Sequence, residues 1–279
     1  MTSLLEGVKA FAALSSGGAV VMLLLGVALW ELVWPEHQTR LPFARRWIAN
    51  FSLLALSIVL TALLAPGLAF LTDAILERSP LRWAPGTVGF WTHFALAFLV
   101  LDFLNYALHR TFHAVPIFWR VHSAHHSDTS LDVSTTVRSH PVEVILSAVM
   151  LGVGGALLGC SALEVGVYGL VKTAVQLVGH ADVRLYPLLE STIGRLIVTP
   201  KFHRIHHSSA RPETDSNYGE VFAFWDSLLG SYGGRAGAKR GEIEFGLKEF
   251  RDRRSQRIDQ LLLQPLRVKR ATAATVGHT

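Results

Sequence analysis

The chain has 279 residues, of which 50% are hydrophobic and only 17% charged, and its mean hydropathy is +0.35. A soluble domain of this length carries about 25% charged residues, so the composition speaks against a water-soluble protein and for a membrane one. The net charge of +5 does not point to nucleic acid, because the basic residues flank apolar segments and gather in the C-terminal tail, which suits an anionic membrane surface.

A membrane-spanning helix needs roughly 20 predominantly apolar residues. Residues 10–30 are uncharged, and the apolar run continues past Glu31 to Trp34. Residues 47–72 form a second uncharged stretch, interrupted near its end by Pro66-Gly67. A third covers 83–101 and closes on Asp102. The fourth covers 144–163, and after Glu164 it resumes to Gly179 with only Lys172 interrupting. That region is too long for one helix and predicts a hairpin of two. The N-terminus lacks the basic segment and the clear cleavage site of a signal peptide. The single cysteine, Cys160, lies in an apolar run and offers neither a disulfide framework nor a thiolate metal site.

These segments predict an all-α fold: an integral, multi-pass membrane bundle of about four to five apolar helices with a cytosolic, histidine-rich helical cap. Three units follow along the chain: N-terminal transmembrane helices over 1–86, a catalytic unit over 87–234, and a basic cytosolic tail over 235–279. The tail sequence "RDRRSQRIDQLLLQPLRVKR" reads as an amphipathic helix or a loosely held end. Basic residues near helix ends favour the cytosol. Arg40, Arg45 and Arg46 in the first loop, Arg110, Arg120 and Arg138 in the histidine region, and the basic tail all point to one face. Arg78 and Arg82 are offset by Asp73 and Glu77. The N-terminus is then outside.

Ten of the thirteen histidines lie between His109 and His207. On a helix, residues three or four apart share a face. "HRTFH" therefore pairs His109 with His113, "HSAHH" joins His122 to His125 and His126, and "HRIHH" joins His203 to His206 and His207. Eight imidazoles exceed the needs of one ion and suit two adjacent ones, and neutral imidazole favours zinc, copper, iron or nickel. The lone His37, His93 and His278 fit surface or satisfied interior positions and receive no role. No glutamate stands between the histidines as in an HExxH protease, no cysteine set supports closed structural zinc, and bis-histidine haem does not need triplets. Two metals at a membrane surface fit O2 activation against a lipid C–H bond. A membrane protein that binds or transports metal is the alternative, although a transporter places its polar ligands near the bilayer midplane.

The stretches "LDFLNYALHRTFHAVPIFWRVHSAHHSDTSLDVSTTVRSHPVEVIL", "GHADVRL" and "VTPKFHRIHHSSARPETDSNYGEVFAFWDSLLGSY" resemble the fatty acid hydroxylase / sterol desaturase superfamily over roughly residues 90–232. The resemblance implies a non-haem di-iron monooxygenase that hydroxylates or desaturates a lipid, with O2 as co-substrate; zinc can substitute for iron in a purified sample. His109 and His113 match the first histidine box, His122, His125 and His126 the second, and His203, His206 and His207 the third. His140 and His180 match two further positions and are expected as ligands that bring each ion to five imidazoles. Where some members carry another histidine, this chain has Gln176. Asp102, Asp215, Asn217 and Asp226 also match and are expected to orient histidines or to be structural. No separate acid or base is assigned. Because the sequence shows no CxxC and no GxGxxG, electrons are expected from a separate donor, a ferredoxin or small cytochrome with its reductase, steered to the cytosolic face by arginines such as Arg120 and Arg138.

Overall fold

A computed structural model describes residues 2–37, 43–78, 88–233 and 243–268. It is all-helical apart from three isolated bridge pairs. The long helices are α1 (Thr2–Val33), α2 (Phe43–Arg78) and α3 (Phe90–Ala114); α4 (Pro116–His126) follows after one residue. The predicted hairpin is α5 (Pro141–Leu157) and α6 (Ala162–His180). Short helices close the chain: α7 (Pro187–Ile193), α8 (Pro200–His206), α9 (Arg211–Thr214), α10 (Phe224–Leu228) and α11 (Ile258–Arg267).

Among the described residues, three helices are long and apolar enough to cross a membrane: Ala44–Leu68 within α2, Phe90–Ala114 and Ala162–His180. The apolar segments Gly17–Val33 and Pro141–Leu157 are shorter. Pro66 stays inside α2 rather than ending it, as membrane helices allow. Large apolar side chains face outward, including Leu25, Leu29, Ile58, Leu63 and Trp91. Exposed apolar side chains in this number along the long helices suit a bilayer.

Local sequence sets where the histidine helices begin. Proline occupies the first turn of α4, α5 and α8, where its missing N–H and fixed φ cost nothing. Thr199 caps α8 by accepting from Phe202 N. Ser161 and Glu164 form a capping box that turns the hairpin into α6. Val115 alone separates α3 from α4 in extended geometry, so the first two histidine boxes fold directly onto each other.

The segment between α4 and α5 is tied to the N-terminal helices by buried charge. Arg46 grips Asp128 through Nε (2.7 Å) and Nη2 (2.8 Å), and reaches Asp132 through Nη1 (2.8 Å). Burial opposes the Asp128 carboxylate, but Arg46 and Arg138 outweigh it and hold its pKa down at about 2. Removing one partner of such a buried pair costs about 3–5 kcal/mol. Glu31 accepts from the backbone N–H groups of Val133 and Asp182, each at 2.7 Å. Arg138 corrects an expectation. It is fully buried, donating to Ala124 O, Asn50 Oδ1, Ser127 Oγ and Gln256 Oε1, so it cannot steer a partner; Arg120 is exposed.

The described part of the tail is docked on the bundle. α11 buries Leu261 completely against Ala49 and Leu53 of α2, an apolar contact worth about 1.5–3 kcal/mol per side chain. Gln264 Nε2 donates to Ser123 Oγ on α4 (3.1 Å), and Gln256 Nε2 to Ser127 O (3.0 Å). Residues 269–279 of the expected tail, including His278, lie outside the described residues.

Candidate metal centre

The histidine boxes converge at one end of the helices and sort into two groups. His109 and His113 of α3, His122 and His126 of α4, and His206 of α8 form one. His125 of α4, His180 of α6, His203 of α8 and His207 form the other. Within each group the candidate ligand atoms all lie within 4.8 Å of one another, and every residue is buried. The groups adjoin: the rings of His126 and His207 stack with centroids 4.6 Å apart.

This division explains why the same spelling occurs twice. In "HSAHH" the outer pair, four apart, serves the first group and the inner His125 the second. In "HRIHH" the outer pair, His203 and His207, serves the second group and the inner His206 the first. Residues at i and i+4 stack on one face, while i+3 lies rotated about 100° from i+4. Each of these two boxes therefore grips one position with two rings and bridges to its neighbour with the third.

Hydrogen bonds behind the rings determine what the front can do. His109 Nδ1 donates to Tyr218 O (3.0 Å), His125 Nδ1 to Arg138 O (3.2 Å), His180 Nδ1 to Gln176 O (2.8 Å) and His206 Nδ1 to Ser216 O (2.7 Å). A carbonyl only accepts, so these Nδ1 atoms carry the proton and each Nε2 holds a bare lone pair. The Nε2 atoms of His125 and His180 then face each other at 3.1 Å with no proton between them. The Nε2 atoms of His109, His113 and His206 are buried with no partner. Buried lone pairs aimed at one another are repulsive and need a cation, and the donor set fits a borderline transition metal.

The electrostatics agree. Burial, reinforced by neighbouring imidazoles, pushes His125, His126, His203 and His207 well below the ordinary histidine range. Burial lowers His206 to about 3 despite its bond to Ser216 O. Neutral imidazole is the form that binds metal.

Three carboxylates back the first group. Asp215 Oδ1 lies 3.4 Å from His113 Nδ1, Glu143 Oε1 3.0 Å from His122 Nδ1, and Glu220 Oε1 3.3 Å from His109 Nδ1. Neither the Glu143 nor the Glu220 contact is a hydrogen bond: His122 Nδ1 and Glu143 Oε2 are buried without a partner, and His109 Nδ1 donates to Tyr218 O. Glu143 and Glu220 were not singled out from the sequence. The visible signal was an acid beside a matched motif, in "HPVE" and "NYGE", within otherwise apolar surroundings.

The expected ligand His140 is not brought into either group. It sits at the start of α5, where Nδ1 accepts from Val142 N (3.2 Å) and Nε2 donates to Leu262 O (3.3 Å). With both nitrogens on backbone, it caps a helix and holds α11. The Gln176 amide donates to Glu220 O (2.6 Å), and its backbone carbonyl orients His180. Of the four matched polar residues, only Asp215 touches a histidine ring. Asp102 accepts from Val221 N, Phe222 N and Trp225 Nε1. Asp226 accepts from Tyr218 N and Gly219 N, each at 2.8 Å. Asn217 takes a left-handed φ of 59° and binds Phe202 O and Gly233 O. Together they shape the loop whose carbonyls hold His109 and His206.

Known proteins share this part of the chain. A family model described as fatty acid hydroxylase matches residues 94–231. The chain is 32% identical over 139 residues to an ornithine lipid hydroxylase of Rhizobium tropici, covering 49% of this chain and 40% of that protein. It is 30% identical over 159 residues to the alkylglycerol monooxygenase of Homo sapiens, covering 56% and 33%. It is 26% identical over 134 residues to a very-long-chain aldehyde decarbonylase of Oryza sativa subsp. indica, covering 48% and 49%. The matched stretch is thus less than half the length of each relative. No solved structure matches the chain. All nine converging histidines fall inside 94–231, and over that stretch the chain belongs to the fatty acid hydroxylase family.

Proposed function

We propose that the protein is an O2-dependent oxidoreductase that hydroxylates or desaturates a membrane lipid, a fatty acyl, sterol or related compound. The observation that carries this reading is the convergence of nine buried histidines, several with tautomers fixed so that lone pairs face inward, at the end of helices able to cross a membrane. Five imidazoles in one group and four in the other would hold two iron ions. Bound iron supplies O2 activation and oxidative attack on an unactivated C–H bond.

The chain's own residues do the rest. Asp215 and four backbone carbonyls hold five of the rings by hydrogen bonds, and the Glu143 and Glu220 carboxylates lie beside His122 and His109, so the ligand geometry is preorganised. Burial keeps the imidazoles neutral and bulk water out. The apolar helices bring an insoluble substrate to the site from the bilayer. Hydroxylation consumes one O2, two electrons and two protons and yields the alcohol and one water; desaturation yields the alkene and two waters. The electrons come from a separate carrier, a ferredoxin or small cytochrome with its reductase, docking on the cytosolic face. The relatives' names, spanning a lipid hydroxylase and a lipid monooxygenase, support lipid oxidation.

The test is lipid profiling of cells with and without the intact gene under 18O2. The expected result is a gene-dependent lipid that is either 18O-labelled or newly unsaturated. Metal flux into proteoliposomes with no O2 consumption would overturn the reading in favour of transport.

A further inference from the structure

Lys172 is the one charge inside the apolar stretch 165–179 of α6, and a membrane-embedded ammonium calls for a partner and usually a role. Its Nζ donates to Asn105 Oδ1 on α3 (2.7 Å) and lies 3.4 Å from Glu220 Oε2. The other oxygen of the same carboxylate, Oε1, lies 3.3 Å from His109 Nδ1. Gln176, one turn along α6, fixes the Glu220 backbone by donating to its carbonyl. An ammonium, a carboxylate and a metal-binding imidazole thus lie in sequence: the His109 Nδ1–H donates to Tyr218 O, and the Glu220 carboxylate places its charge beside that bond.

We infer that Lys172 and Glu220 form a charge pair that sets the donor strength of His109, and so the reduction potential of the first metal position. This rests on the di-iron reading above. A carboxylate behind a metal-bound histidine raises the ligand's basicity and favours the more oxidised metal. Lys172 competes for the same carboxylate and moderates that effect. The two residues therefore act in opposite directions.

The test is a redox titration of the iron-loaded full chain in nanodiscs, comparing wild type with Lys172→Met, Glu220→Gln, the double variant and Lys172→Arg. Iron per chain is measured alongside. Glu220→Gln should raise the midpoint potential and weaken iron binding by about 10–100-fold. Lys172→Met should lower the potential. The double variant should return towards the wild-type value, and Lys172→Arg should stay close to it. Single variants that shift together, or do not shift while holding two irons, overturn the inference. If Glu220→Gln fails to fold, Lys172→Met against Lys172→Arg still decides the sign. Wild type that binds no iron at all would instead defeat the di-iron reading on which the pair depends.

Discussion

At the residue scale, histidine identity matters less than what holds each ring. His180 and His140 are similar in sequence, each beside an end of the hairpin. They differ in that His180 Nδ1–H donates to a carbonyl, which leaves Nε2 free for the site, whereas backbone occupies both nitrogens of His140. His180→Ala should therefore lower the bound metal, chiefly at the second group, while His140→Ala should keep full metal content. The His140 change should cost about 1 kcal/mol through its lost hydrogen bonds. Metal analysis and thermal melting of the two variants separate the cases. The same burial gives a pH dependence. His125, His126, His203, His206 and His207 stay neutral in the folded chain well below the ordinary pKa. In the unfolded chain they take up protons near pH ~6.5. The unfolded state therefore binds more protons below that pH, and stability falls with acidification by about 1.4 kcal/mol per pH unit for each such histidine. For His206 the loss continues down to about pH 3; above neutrality stability is flat from this source. Urea midpoints of the metal-free protein should be lower at pH 5 than at pH 7.5, and equal midpoints would count against buried, uncharged rings.

At the scale of elements, the histidine boxes were legible because helical spacing alone places i, i+3 and i+4 together, and because proline punctuates the helix starts. The division of each box between two groups was not, since it depends on how α4 and α8 face one another. The role of α11 was hidden for the same reason: "RIDQLLLQPLR" shows amphipathic spacing, but not that its buried face would lie on α2 and the back of α4. Leu261, fully buried there, is the anchor. Leu261→Ala should destabilise by about 2–5 kcal/mol, seen as a lower melting temperature. If α11 braces α4, metal should also be lost on heating at a lower temperature than in wild type. An unchanged melting curve would show that the tail docks without bearing on the bundle.

For the whole molecule, hydropathy located the apolar segments, and the described structure has helices at each of them. What sequence could not supply was the buried ionic framework of Arg46, Asp128, Asp132 and Arg138, because charged residues in a sequence read first as surface. Arg138, expected to face a partner, is interior. We propose that the metal end faces the cytosol, and labelling tests it. Cys160 sits between α5 and α6, at the end away from the histidines, and burial pushes its thiol up to about 11, which slows its reaction. In a Cys160→Ala background, Arg254→Cys, exposed beside α11, should react with an impermeant maleimide only after cells are opened. Labelling of intact cells would place the site on the outer face.

Every functional statement depends on two metal positions formed by these nine histidines. The direct measurement is iron per chain in the full-length protein, purified without oxygen, reconstituted and freed of loosely bound metal. The two groups predict about two irons per chain. A saturated value of one or none, in folded protein, would contradict the paired site.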